Sequence, residues 1–318
     1  MKKLFLYAMA SLGLFAVSCK ESSEPYSYKS TVSVQAYNLF TSATDDEEPV
    51  VGTAVYSLTM TYPDPKISVS SSKMIVPGNT QIDFSVSDMS MTTDNYQWNG
   101  IVRQTISFNG NNSSLPAITD FRGCISNAVN YHPDFPKQES VPGYSWKTPS
   151  TGVNGLYSYV FLQYDYDKWN VRTFWNDMTY SGLTITSYLS GDETISFNNE
   201  NVYYRVIMKG TGADLNKADI LIYDAKFAEP MPQMTLVLKG LDLEFTNDGY
   251  TISGQNIVAE MKGDGGLVPF PAFPFTSFKA VFNGKLTGMN ASYTVENKAS
   301  GAVYTGLFNG SCFLNVNM

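Results

Sequence analysis

The sequence predicts an all-β protein built as two tandem antiparallel domains, each a barrel or sandwich of about eight strands. Three observations carry this expectation. Apolar and polar residues alternate with period two nearly throughout, as in strands with one buried and one wet face. Turn signals recur at short intervals, among them Pro63-Asp64-Pro65, Pro77-Gly78-Asn79, Asn109-Gly110-Asn111 and Gly263-Asp264-Gly265-Gly266. The second half of the chain also repeats the first. Of the 318 residues, 43% are apolar, 14% aromatic and only 16% charged, which excludes a disordered chain and supplies enough material for two cores.

The first element is an export signal over residues 1–18. Lys2 and Lys3 precede an apolar run from Leu4 to Val17 that is too short for a spanning helix of roughly 20 residues. It ends Ala16-Val17-Ser18-Cys19, which resembles the lipobox of bacterial lipoproteins, with Ala16 where Leu is usual. The resemblance implies cleavage before Cys19 and lipidation of its thiol, so that Cys19 joins the chain to a membrane. Residues 19–27 then read as a polar tether. Within it, Lys20-Glu21-Ser22-Ser23-Glu24 is similar to the export signal of surface lipoproteins in Bacteroidetes, which implies the outer membrane; a plain polar tether reads the same way. Loss of Lys2 and Lys3 on processing takes the net charge from -8 to -10. Such a chain repels nucleic acid and anionic headgroups, so no nucleic-acid partner is expected.

The domains proper are expected at 28–179 and 180–318. Residues 82–100 align without a gap on 236–254, pairing Asp88 with Asp242 and setting Thr92-Thr93-Asp94-Asn95-Tyr96 near Thr246-Asn247-Asp248-Gly249-Tyr250. Asp-Asn and Asp-Gly both tolerate positive φ, which predicts a hairpin at the same place in each copy. Further anchors are Tyr56–Met60 with Tyr204–Met208, Ile118–Phe121 with Phe275–Phe278, and Tyr157–Phe161 with Tyr304–Phe308. Alternation is clear at Val32, Val34 and Ala36, at Ile67 and Val69, and at Leu183 and Ile185. A bilayer-spanning barrel is disfavoured because Ser68, Ser70 and Ser72 leave no apolar outward row.

The lipobox, the β repeats, and strands such as Tyr250–Gly254 and Phe275–Val281 together resemble the calycin-like (lipocalin-like) β-barrel lipoproteins of Bacteroidetes, many of unknown function. The resemblance implies a barrel fold and an envelope address and carries no catalytic residue.

Chemistry is sparse. There is no HExxH, GxSxG or P-loop, and His132 is the single imidazole, in the Pro-flanked run Asn130-Tyr131-His132-Pro133. No metal site, cofactor or catalytic residue is assigned. Asp45-Asp46-Glu47-Glu48 lacks EF-hand spacing. Asp165 and Asp167, in Tyr164-Asp165-Tyr166-Asp167-Lys168-Trp169, would share a face in an extended strand, which suits a glycoside-cleaving pair, a sugar contact, or simply a hairpin tip. All four tryptophans, Trp98, Trp146, Trp169 and Trp175, fall in the first copy. Trp146, Trp169 and Trp175, with Tyr164, Asp165 and Asp167, are the ligand-binding candidates, because tryptophan suits sugar rings and partner surfaces; a core role is the alternative. The apolar run Leu267–Phe275 reads as a contact loop or as a barrel plug. Cys124 and Cys312 allow one disulfide or two buried thiols.

The sequence therefore predicts a non-enzymatic, lipid-anchored outer-membrane protein that binds a glycan, a peptide or an envelope partner. A carboxylate-dependent glycan-processing enzyme and a structural or adhesin subunit are the alternatives. Lipidation has a direct test. Cys19→Ser should abolish incorporation of labelled palmitate and move the protein from the detergent phase to the aqueous phase on phase partitioning; retention of label would place the lipid elsewhere.

Overall fold

The computed structural model describes residues 28–42, 44, 47–62, 64–98, 101–129, 141–144, 156–175, 177–209, 216–247, 249–282 and 288–311. Among them there is no helix, and the strands form two separate closed units.

The first unit is an eight-stranded meander: β1 (Tyr28–Ser42), β2 (Val50–Tyr62), β3 (Lys66–Val76), β4 (Thr80–Trp98), β5 (Ile101–Gly110), β6 (Ile118–Val129), β7 (Leu156–Tyr166) and β8 (Trp169–Trp175). β8 returns to pair with β1 from Ala36↔Trp175 to Ser42↔Trp169, so the architecture is a barrel and not a sandwich. Alternation fixes which residues face inward. Tyr56, Leu58 and Met60 on β2, Ile67 and Val69 on β3, and Leu162 and Tyr164 on β7 share one buried cluster, while Ser70 and Ser72 are exposed. An apolar interior with exposed serines on the outward row of β3 is the inverse of a lipid-facing wall.

A polar network lies inside this apolar interior, across the closing seam. The Tyr56 hydroxyl donates to Asn38 Oδ1 at 2.8 Å and accepts from the Tyr164 hydroxyl at 2.9 Å, and the Thr173 hydroxyl donates to the same Asn38 oxygen at 2.8 Å. Strands β1, β2, β7 and β8 are thereby tied through their side chains as well as their ladders. Burial pushes the Tyr56 and Tyr164 hydroxyls above the ordinary tyrosine range, so both stay protonated donors.

The second unit closes in the same way through β9 (Asp177–Ser190), β10 (Glu193–Met208), β11 (Lys217–Ala225), β12 (Met234–Thr246), β13 (Gly249–Ile257), β16 (Phe275–Phe282), β17 (Gly288–Glu296) and β18 (Val303–Ser311), with β18 pairing back to β9. A small hairpin, β14 (Glu260–Gly263) and β15 (Gly266–Pro269), is inserted after the fifth strand of this ring. The ring begins at Asp177, which pairs with Ile207, and not at residue 180. Four residues inside the span expected for the first domain, Val141–Tyr144, also belong to the second unit. Val141 is buried, the Tyr144 hydroxyl donates to Asp219, and Arg205 donates to the Tyr144 carbonyl at 3.2 Å. Long-range side-chain contacts override a linear cut here.

The two rings share their irregularities. In the first, register shifts between Ile67 and Val69 where Asp88 adopts φ +55, and the Asp88 N–H donates to Ser68 Oγ at 3.1 Å. In the second, register shifts between Ala218 and Ile220 where Gly240 adopts φ +66, and the Gly240 N–H donates to Asp219 Oδ1 at 2.9 Å. A second shared bulge sits at Lys73 and Asp224, each with φ +56. These bulges match Asp88 to Gly240, two residues away from the ungapped alignment with Asp242; an even shift leaves every side chain on its face. The expected common hairpin is corrected in the first copy, because Asp94 and Asn95 lie within β4, paired to Thr105 and Gln104, whereas β12 does turn after Thr246. The anchor Tyr157–Phe161 with Tyr304–Phe308 equates a seventh strand with an eighth, and similar alternation in neighbouring strands produces that error. The anchors at Tyr56 and Ile118 do join equivalent strands.

The run Leu267–Phe275 is divided: Val268, Pro269, Pro271 and Ala272 are exposed, while Phe273 stacks on Phe270 at 5.4 Å and on Phe227 at 5.9 Å and Phe275 is fully buried.

Two outcomes follow for stability. Gly240→Val places a β-branched residue in the left-handed region and should cost about 1–2 kcal/mol in chemical denaturation, against about 0.5 kcal/mol or less for Asp88→Gly. Asp219→Ala leaves the Gly240 N–H without its acceptor while part-exposed Lys209 turns to water, and should cost about 1–3 kcal/mol. Burial also pushes the Tyr293 hydroxyl from 10.0 up to about 12, and Tyr204 upward. The unfolded chain thus ionises first. Stability should be full below about pH 10 and fall as pH climbs from about 10 through about 12, and the fall should be shallower in Tyr293→Phe when denaturation midpoints are compared.

Candidate functional site: a polar groove on the first barrel

The hairpin joining β7 to β8 turns at Asp167 and Lys168. Asp167 takes φ +49, and its N–H donates to the Ala117 carbonyl at 3.2 Å. Beside this hairpin, β6 carries a bulge between Thr119 and Arg122 with Asp120 at φ +48. The bulge bends β6 away from β7 and opens a groove of about 440 Å3 on the outer wall. Asn109 and Asn111 enter it from the end of β5, Asp120 and Arg122 from β6, Gln163 and Asp165 from β7, and Asn170 from β8.

Its polar groups are pre-set. Asn170 Nδ2 donates to Asp165 Oδ1 at 2.9 Å, and Gln163 Nε2 donates to Asn170 Oδ1 at 3.3 Å. The backbone carbonyl of Asn170 accepts from the Thr41 hydroxyl at 3.3 Å, which fixes β8 against β1 at this point. Asp165 is half-buried, whereas Asn109, Asp120 and Arg122 are exposed. The groove therefore presents two carboxylates, the oriented Asp165 and the exposed Asp120, with several amides and one guanidinium. That set donates and accepts in pairs, as recognition of adjacent hydroxyl groups requires.

The candidates from sequence divide sharply. Asp165 lines the groove. Tyr164, next to it, points inward by strand parity, is 1% exposed and stacks on Phe121 at 5.2 Å. Trp169 also points inward, 6% exposed and edge-on to Phe40 at 6.5 Å. Neither ring offers a face to a ligand. Asp167 does not share a strand face with Asp165, because the chain reverses at Asp167 itself. Trp175 ends β8, and its side chain lies outside the described residues, as do Trp146, Cys19, His132 and Cys312. Cys124 is buried. Among the described residues no cluster of three His, Cys, Asp or Glu side chains forms a metal site.

Sequence reasoning missed Asn109, Asn111, Asp120, Arg122, Gln163 and Asn170. Asn109-Gly110-Asn111 is legible only as a turn. Had parity been counted outward from buried Tyr164, Gln163 and Asp165 would have emerged on the wet face together.

No protein-family model and no curated protein matches the sequence. Among solved structures, the chain is similar to a presumed outer membrane protein of Bacteroides fragilis, at 10% identity and a TM-score of 0.30, over 89% of this chain and 96% of that one. It is also similar to a double mutant of transferrin binding protein B of Haemophilus parasuis, at 10% identity and a TM-score of 0.25, over 89% of this chain and 76% of that one. A third similarity is to an intact transferrin binding protein B with N and C lobes, at 7% identity and a TM-score of 0.24, over 90% and 77% of the two chains.

Proposed function

We propose that this chain is a lipoprotein of the outer membrane, anchored through Cys19, which binds a glycan in the groove on its first barrel without cleaving it. The observation that carries the reading is the Gln163–Asn170–Asp165 relay, which holds a carboxylate and two amides in fixed orientation on an accessible wall. Hydroxyl-rich ligands are recognised by such paired donors and acceptors, and the groove volume falls within the range of roughly 300–1,000 Å3 of small-ligand sites. The lipobox-like Ala16-Val17-Ser18-Cys19 supplies the address. A barrel on a polar tether at a membrane surface has access to envelope or extracellular polysaccharide.

The test uses the full chain carrying Cys19→Ser on an array of neutral and acidic oligosaccharides. Binding to at least one glycan class should be found, and Asp165→Ala and Asn170→Ala should each weaken it roughly tenfold or more, as loss of a charge-assisted or paired hydrogen bond does. An empty array, or binding indifferent to both substitutions, overturns the reading. Release of shortened sugars, abolished by Asp165→Asn, would replace binding by catalysis.

A further inference from the structure

The shared register of the two rings places one row of side chains at the same position on each outer wall. In the first barrel the row runs Arg122, Gln163, Arg172, Leu39 across β6, β7, β8 and β1. In the second it runs Lys279, Ser292, Leu307, Ile185 across β16, β17, β18 and β9. The basic residue is retained at the sixth strand, but the far end differs. Leu39 is buried, whereas Leu307 is 56% and Ile185 39% exposed. With Leu183 and Val281 from the adjoining row, they line a groove of about 360 Å3 in which Lys279 is the single charged residue.

We propose that this wall groove is a ligand site for a single-chain anionic amphiphile, a fatty carboxylate, with its headgroup on Lys279 and its alkyl chain across Leu307 and Ile185. Three physical points select this occupant. Lys279 is a local cation in a chain whose net charge is -8, so an anion is drawn to this end and repelled by most of the remaining surface. The row crosses three strand spacings of about 4.8 Å each, about 14 Å in all, giving an elongated apolar track and not a compact pocket. All four strands of this wall are paired on both sides, so there is no edge to receive a peptide backbone. An extended peptide laid on the apolar track would leave its amides without partners, and an alkyl chain brings none. Midway along the track, Asn309 donates to Asn290 at 2.7 Å, which ties up polar groups that would otherwise need water. The inference stands independently of the ligand of the first barrel.

The experiment titrates the full chain carrying Cys19→Ser with decanoate and with decyltrimethylammonium below their micelle concentrations, following isoleucine, leucine and valine methyl resonances. Decanoate should shift Ile185, Leu307 and Val281 saturably, with at least tenfold preference over the cation. Lys279→Glu should reverse that preference, and Leu307→Asp, an exposed change that leaves the first-barrel methyl spectrum unaltered, should remove the shifts. The proposal is overturned if decanoate leaves these methyls unmoved, if Lys279→Glu keeps the ranking, or if Leu307→Asp binds as before. It is equally overturned if sedimentation shows that the wall is buried in a dimer that Leu307→Asp dissolves.

Discussion

Each ring bends at a left-handed residue on its fourth strand whose N–H is received by a side chain on the third. Asp88 with Ser68 and Gly240 with Asp219 are the two instances. A strand that bends there can leave one neighbour and join another. β4 pairs with β5 only from Ser90 onward, and β12 with β13 only from Asp242 onward. The first half of each fourth strand is left for the connection after the fifth strand to cover. In the first ring this is the bridge Val86↔Ser113, and in the second it is the β14 pairing of Leu236↔Met261 and Val237↔Glu260. The change of partner along the fourth strand and the covering of its first half thus accompany the same bulge in both rings.

The acceptors at the two bulges differ in chemistry, and the difference propagates. Ser68 is neutral and half-exposed. Asp219 is a fully buried carboxylate that receives Lys209, the Tyr144 hydroxyl and the Gly240 N–H. A buried charge requires such partners, and Val141–Tyr144 is held on the second ring because it supplies one of them. The Tyr144 hydroxyl, pushed well up by burial and by the Asp219 carboxylate, remains a donor at any physiological pH.

A similar economy governs the outer walls. Both rings carry a base at the sixth-strand position, Arg122 or Lys279, yet the surroundings have diverged into a polar groove and an apolar one. The β6 bulge at Asp120 brings Asn109, Asp120 and Asp165 around one depression, whereas the corresponding stretch of β16 shifts register between Phe275 and Ser277 beside the rings of Phe227 and Phe273. Duplicated backbone with divided side-chain chemistry gives two outer walls of different polarity on one chain.

Period two and turn chemistry were sufficient to read an all-β chain of two related domains, because alternation is a local property that every half-buried strand must satisfy. The lipobox-like Ala16-Val17-Ser18-Cys19 is a local motif and is read without any fold, whereas the outward face of Asp165 follows only once Tyr164 is known to be buried. Register was not legible. The two-residue offset at Asp88, the displaced turn beyond Asn95, and the mismatched anchor at Tyr157 all arise because neighbouring strands carry interchangeable patterns, and only pairing distinguishes them. The aromatic candidates were undecidable for the same reason: Tyr164 and Trp169 could face a ligand or the core equally well in sequence. Closure of the ring turned them inward, where apolar area removed from water stabilises the barrel. Local periodicity therefore determined what the strands are, and long-range pairing decided which residues meet.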